Sequence, residues 1–174
     1  MNTLEAIAKR YSCRKFTSEP ISEENLQTIL KAGMAAPVGT GAYNSLHIIV
    51  IQDKTLLNEI GEAVSAMVEK VLGRKMDKNF GEAALVVVSA KPGMMPGIEM
   101  ANAGCVLENM LIAATSLGID NIIHGGAAMA ISQNANMLAR LNLPEGFKPV
   151  LCASFGYAAE KGTAKEHQIT VNRI

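Results

Sequence analysis

The sequence contains no tryptophan, and aromatic residues as a whole make up only 4% of it. A core built from this chain must therefore be aliphatic, assembled from Val, Ile, Leu, Met and Ala within a 49% hydrophobic content. Charge is also scarce, at 18%, and sixteen basic residues cancel sixteen acidic ones. No long basic stripe supplies the footprint that nucleic acid or an anionic membrane surface requires, so neither is an expected partner.

Three cysteines, Cys13, Cys105 and Cys152, offer neither a C-x-x-C pair nor an even-numbered disulfide framework, and a reducing cytoplasm is the natural setting. The first ten residues hold no apolar signal-peptide core. The longest apolar stretch, residues 100–117, is interrupted by Asn102, Glu108 and Asn109, so no membrane span is expected. His47, His124 and His167 stand far apart, with no H-E-x-x-H, no paired histidine and no cysteine cluster, and no metal site is expected.

What is present is enough chain for one domain: 174 residues with no internal repeat, low-complexity tract or linker. Leu4, Ile7, Ala8 and Tyr11 share one face of a short helix. Ser22 reads as an N-cap, with Ile21 stapled to Leu26 and a stripe through Ile29, Leu30 and Met34. Residues 37–45 form a loop rich in Gly and small polar residues ahead of a strand over 46–51. Asp53 caps a helix that stops near Gly73, and residues 83–90 read as a strand covered on both faces.

From Ile98 to Leu117 apolar residues occupy nearly the whole helix circumference, with small residues allowing close approach, which predicts a central or interface helix. A strand over 119–124 runs into Gly125 and Gly126, a helix carries Met137, Leu138 and Leu141, and a last core strand spans 150–157. The tail, 158–174, is too poor in apolar residues to build its own core and must be held from outside. The mixture of helices and strands gives an α+β sandwich.

The strongest chemical constellation is Lys9-Arg10-Tyr11-Ser12-Cys13-Arg14-Lys15-Phe16, in which two guanidinium groups flank a hydroxyl. Guanidinium forks match phosphate oxygens and serine adds a donor. On physics alone, a phosphate site and a solvated basic patch are equally good readings.

The spacing R-x-S-x-R-x-F, here Arg10, Ser12, Arg14 and Phe16 after a short N-terminal helix, resembles the FMN-binding signature of the nitroreductase family. The resemblance runs along nearly the whole chain. Ala35-Ala36-Pro37 and Asn44 fill the slots of the family's A-P-S-x-x-N-x-Q-P-W region, although Leu46, His47 and Ile48 replace Gln, Pro and Trp. Residues 108–118, ENMLIAATSLG, resemble the E-N-x-x-L-A-A-x-x-L-G pattern of its central helix, which as an ordinary core helix would look the same. Gly125 and Gly126 stand where the family brings backbone N–H groups to the reactive edge of the flavin. Phe155-Gly156-Tyr157 resembles the lead into its basic tail.

The resemblance implies a three-layer α/β/α sandwich with a central mixed, mainly antiparallel sheet, dimeric, formed by one domain over residues 1–174. Its tail is expected to cross onto the partner subunit. It also implies FMN bound tightly but not covalently by Arg10, Tyr11, Ser12, Arg14, Asn44, Gly125, Gly126, Lys165 and His167, with Lys161 a further candidate. NADH or NADPH would deliver hydride to the flavin and an electron-poor acceptor, such as a nitroaromatic or quinone, would collect it in alternation. The flavin, not a side chain, would carry the chemistry. A flavin-binding sensor or storage protein, and a flavin-free interaction domain on the same fold, are the competing readings.

Other motifs carry less. Gly39-Thr40-Gly41 precedes a strand instead of opening a helix. His124-Gly125-Gly126 does follow a strand, which leaves a dinucleotide site there as the runner-up geometry. Cys13 has no visible histidine partner and reads as structural. The loop over 91–97 is the available cover for an otherwise open site.

Overall fold

The computed structural model describes residues 1–73, 83–93 and 95–174. Helix α1 spans Thr3–Lys9 and starts from a capping box in which Asn2 and Glu5 satisfy one another's backbone N–H groups. Helix α2, Glu23–Met34, is capped by the Ser22 side chain, and α3, Lys54–Leu72, by Asp53, whose Oδ1 accepts from the Leu56 N–H at 2.7 Å. Gly73 closes α3 at φ 65°, a left-handed conformation that glycine adopts at no steric cost. The remaining elements are β1 (Leu46–Ile51), β2 (Ala84–Ala90), α4 (Ile98–Ser116), β3 (Asp120–His124), α5 (Gly125–Gln133), α6 (Ala135–Arg140) and β4 (Lys148–Gly156).

The four strands form one sheet in the order β1-β2-β4-β3, and every neighbouring pair is antiparallel. Among the described residues, a parallel element enters only as the isolated bridge between Ser12 and Asn121 at the β3 edge. Alternation along the strands divides the core in two. Ala84, Val86, Val88, Ala153 and Phe155 face α2 and α4, whereas Leu85, Val87 and Cys152 face α3, α5 and α6. The architecture is the expected three-layer sandwich. Strand β2 is buried over its whole length, as a run without alternation requires.

Three local expectations need correction. The stripe Leu4, Ile7, Ala8 does not face the protomer's core: Ala6 is the buried residue of α1, while Leu4 is 77% and Ile7 50% exposed. Periodicity identified a shared face but not what covers it. Tyr11 lies beyond the end of α1, in the segment bridged to β3. The apolar stripe expected along α3, Leu56, Leu57, Ile60, Val64, Met67, Val68 and Val71, also stops short, since Val71 is exposed. Residues 125–133, which carried no helical expectation, form α5. It starts straight from β3 with no side-chain cap, so the usual start signal is absent.

Helix α4 buries Ala103, Val106, Leu107, Met110, Leu111 and Ala114 against the sheet and α2. Its opposite side leaves Ala101 and Cys105 exposed, as α1, packed on α4, leaves Leu4 and Ile7. No helix of the described residues is long and apolar enough to cross a membrane.

Candidate functional site

Strand β3 is an edge strand, and the chain immediately after α1 is laid against it. Ser12 bridges Asn121, and the Cys13 N–H donates to the Asn121 carbonyl at 3.0 Å. On its other side the same N-terminal segment meets the start of the tail. Phe16 bridges Ala158, the Thr17 N–H donates to the Tyr157 carbonyl at 2.7 Å, and the Ala159 N–H donates to the Lys15 carbonyl at 3.0 Å. Asp120 fixes this junction from β3, its Oδ2 accepting from the Ala158 N–H at 2.9 Å.

Between the two segments opens a cavity of about 1060 Å³. Arg10, Tyr11, Ser12, Arg14 and Lys15 line one side, and Gly162, Thr163, Lys165 and His167 the other, with Ile7 and Ala8 of α1 adding an apolar wall. Six of the expected site residues, Arg10, Tyr11, Ser12, Arg14, Lys165 and His167, thus come together although more than 140 positions separate the groups. Lys165 reaches the cluster within its own chain.

The cavity is rich in cations. Glu160 and Glu166 are the acidic members, and Lys15 pairs with Glu160 at 3.4 Å with both side chains exposed, a contact worth little in water. Arg14 folds back so that Nη1 donates to the Ser12 carbonyl at 3.2 Å, which orders the guanidinium beside the serine. A space at the upper end of the usual ligand range of roughly 300–1,000 Å³, lined by forked cations and two hydroxyls, suits a sizeable molecule with a phosphate group.

Tyr11 lies on the wall with its ring against the tail at Gly162. Burial raises its phenol above the ordinary range, against a lowering by the Gly162 backbone and together with the nearby Asp120 carboxylate. Cys13 is buried and its thiol donates to the Lys15 carbonyl at 3.2 Å; burial pushes the thiol up, the reverse of what a nucleophile needs.

Gly125 and Gly126 do not line the cavity. They open α5 four residues along β3 from Asn121, about 13 Å at the rise of a strand. Gly126 is packed tightly: a Cβ there would lie 3.2 Å from Met67 Cε, whereas Gly125 has open space at that position. Beside them His124 places Nε2 3.0 Å from Ser154 Oγ, and burial lowers its pKa to about 4, so the imidazole is neutral at physiological pH.

Asn44 is also outside the cavity, exposed in the 3₁₀ turn before β1. The strand order explains why. Strand β1 is the edge opposite β3, and Leu46 pairs with Ala90 at the end of the sheet away from the Asp120–Gly156 pair. The 37–45 loop there is ordered by the Gly39 N–H, which donates to Asn102 Oδ1 at 2.9 Å, and by the Tyr43 hydroxyl, which donates to the Ala36 carbonyl at 3.1 Å. The expected cover over 91–97 includes Met94, which lies outside the described residues.

Gly162, Thr163 and Asp120 escaped sequence reasoning. Nothing local marks them, since their part depends on the tail meeting residues 11–17.

The family model described as the nitroreductase family matches residues 7–157. A protein of Methanothermobacter thermautotrophicus, provisionally named NADH dehydrogenase/NAD(P)H nitroreductase, is 29% identical over 163 residues, covering 92% of this chain and 79% of that one. A nitroreductase of Bacteroides fragilis solved with bound FMN superposes with a TM-score of 0.82 at 26% identity, over 100% of this chain and 97% of the other. One from Desulfitobacterium hafniense, also with FMN, gives 0.82 at 29% identity over 99% and 100%. From the motif at Arg10–Phe16 to the strand ending at Gly156, this chain belongs to the nitroreductase family.

Proposed function

We propose that this protein is an FMN-dependent NAD(P)H oxidoreductase that reduces nitroaromatic, quinone or similar electron-poor acceptors. The observation that carries the reading is the cavity in which Arg10, Ser12 and Arg14 from one end of the chain meet Lys165 and His167 from the other. That donor set fits the phosphate of a flavin mononucleotide, and the similar proteins solved with FMN support the same cofactor. The relative named for NADH dehydrogenase or NAD(P)H nitroreductase supports a nicotinamide donor.

In this reading Arg10, Arg14 and Lys165 neutralise the phosphate and Ser12 donates to it, with His167 at the rim. The free edge of β3 leads from that anchor towards Gly125 and Gly126. Their backbone N–H groups, left without intrahelical acceptors at the start of α5, are available to the ring. Bound FMN would supply the redox chemistry, taking hydride from NADH or NADPH and giving it to the acceptor in alternate half-reactions. The chain's own part is to hold, orient and polarise.

The working unit is a cytoplasmic homodimer. The exposed Leu4, Ile7, Ala101 and Cys105 of α1 and α4 belong to the covered face and Asn44 faces the partner's flavin; of the 158–174 tail expected to cross onto the other subunit, the part beyond the cavity residue His167 does so. The test is to purify the protein, release and identify any flavin, and follow bleaching by NAD(P)H without oxygen. FMN that bleaches is expected. FMN that binds but does not bleach would favour a sensor or storage protein, and no flavin uptake at all would overturn the reading.

A further inference from the structure

Beyond Ala159 the tail has almost nothing to hold it. Among the described residues, no helix, strand or backbone–backbone hydrogen bond involves residues 160–174. Two attachments remain at the cavity: the exposed Lys15–Glu160 ion pair, which is weak, and the contact of Gly162 with the ring of Tyr11. A Cβ built on Gly162 would lie 2.5 Å from Tyr11 Cε2 and 2.6 Å from Cδ2, far inside van der Waals distance. The backbone of the tail therefore approaches the ring face as closely as only glycine permits.

On its other side the ring packs against the small cluster of Cys13, Phe16 and Ala83, and its hydroxyl lies by the Gly162 backbone and the Asp120 carboxylate. Three residues after Gly162 the chain presents Lys165 to the cavity, and five after it His167. The Tyr11–Gly162 contact thus stands between the last anchored residue of the tail and both of its basic contributions.

We propose that Tyr11 and Gly162 form a positioning pair that docks the tail over the N-terminal cluster, and that this docking sets the preference for FMN over unphosphorylated riboflavin. The inference rests on the flavin reading above. Without the contact, the cavity keeps Arg10, Ser12 and Arg14 but loses the fixed placement of Lys165 and His167. The phosphate then loses its second set of cations while the ring contacts elsewhere are untouched.

The experiment is a double-mutant cycle on the full chain, with FMN and riboflavin titrated separately by fluorescence. Gly162→Ala should lower FMN affinity about tenfold or more, with riboflavin affinity held within about twofold. In a Tyr11→Leu background, where no ring meets the added methyl, Gly162→Ala should change the FMN preference by less than about twofold. An unchanged preference in Gly162→Ala, a proportional loss of both flavins, or an equal loss in both backgrounds would overturn the positioning pair. A parent that prefers neither flavin would overturn the phosphate reading itself, and the pair with it.

Discussion

Asn121 holds Ser12 from beneath: its carbonyl accepts from the Cys13 N–H at 3.0 Å, and its side chain is locked into α4. Its Nδ2 reaches the Leu111 carbonyl at 3.1 Å, Thr115 Oγ1 at 3.1 Å and the Ile119 carbonyl at 3.3 Å. The basic cluster is therefore tied through β3 to the core helix.

Asn121→Ala should cost about 2 kcal/mol in urea unfolding, since buried acceptors lose their donor. The loss is moderated because the variant also removes Oδ1, which is buried without a partner. A change below about 0.5 kcal/mol, the range of an unremarkable surface site, would contradict this.

His124 makes stability depend on pH. Its folded pKa is held down to about 4 against an ordinary 6.5, so the unfolded chain binds the extra proton between those values and stability falls as pH drops through that window. The full effect has an upper bound of about 3 kcal/mol. Unfolding of the parent and of His124→Gln should be compared from pH 7 to pH 4. The difference between them should shift steadily in the variant's favour; parallel curves would refute the buried neutral imidazole.

Cys13→Ala should leave NAD(P)H oxidation within about threefold of the parent, because a buried thiol with a raised pKa carries no electrons in the proposed chemistry. Loss of activity by orders of magnitude with flavin still bound would make Cys13 a participant.

Which parts of this account were legible in the sequence follows from the range of each signal. Both ends of α3 are written locally, in Asp53 and Gly73, and the burial of β2 is written in its unbroken apolar run. The basic cluster is legible for the same reason, since Arg10, Ser12 and Arg14 are near neighbours. The outward turn of Leu4 and Ile7 depends on what packs against α1, and the distance of Asn44 from the cavity depends on the order β1-β2-β4-β3. Neither leaves a mark at the residues concerned. Helix α5 begins with two glycines and no cap, so its helicity comes from packing against α3 and β4 instead of from local preference.

The same outward face yields a prediction on assembly. Ala113→Arg, half-buried on α4 beside the exposed small residues, should give a monomeric or aggregated protein that loses flavin together with subunit contact. Light scattering on the variant and the parent distinguishes the outcomes: a parent that is monomeric at micromolar concentration and still turns over with FMN would contradict a shared site.

Arg10→Ala should weaken FMN by about 1.5–3 kcal/mol, the value of a hydrogen bond to a charged group, and leave riboflavin unaffected. Equal losses for the two flavins would remove Arg10 from the phosphate.

The central claim is that one chain's N-terminal cluster and its own tail jointly grip a flavin phosphate. Calorimetric titration of the unmodified protein with FMN and with riboflavin measures that grip directly. The account predicts that FMN binds at least about a hundredfold more tightly, near 3 kcal/mol of preference, as two or more charge-assisted contacts supply. Equal affinity for the two flavins would contradict it.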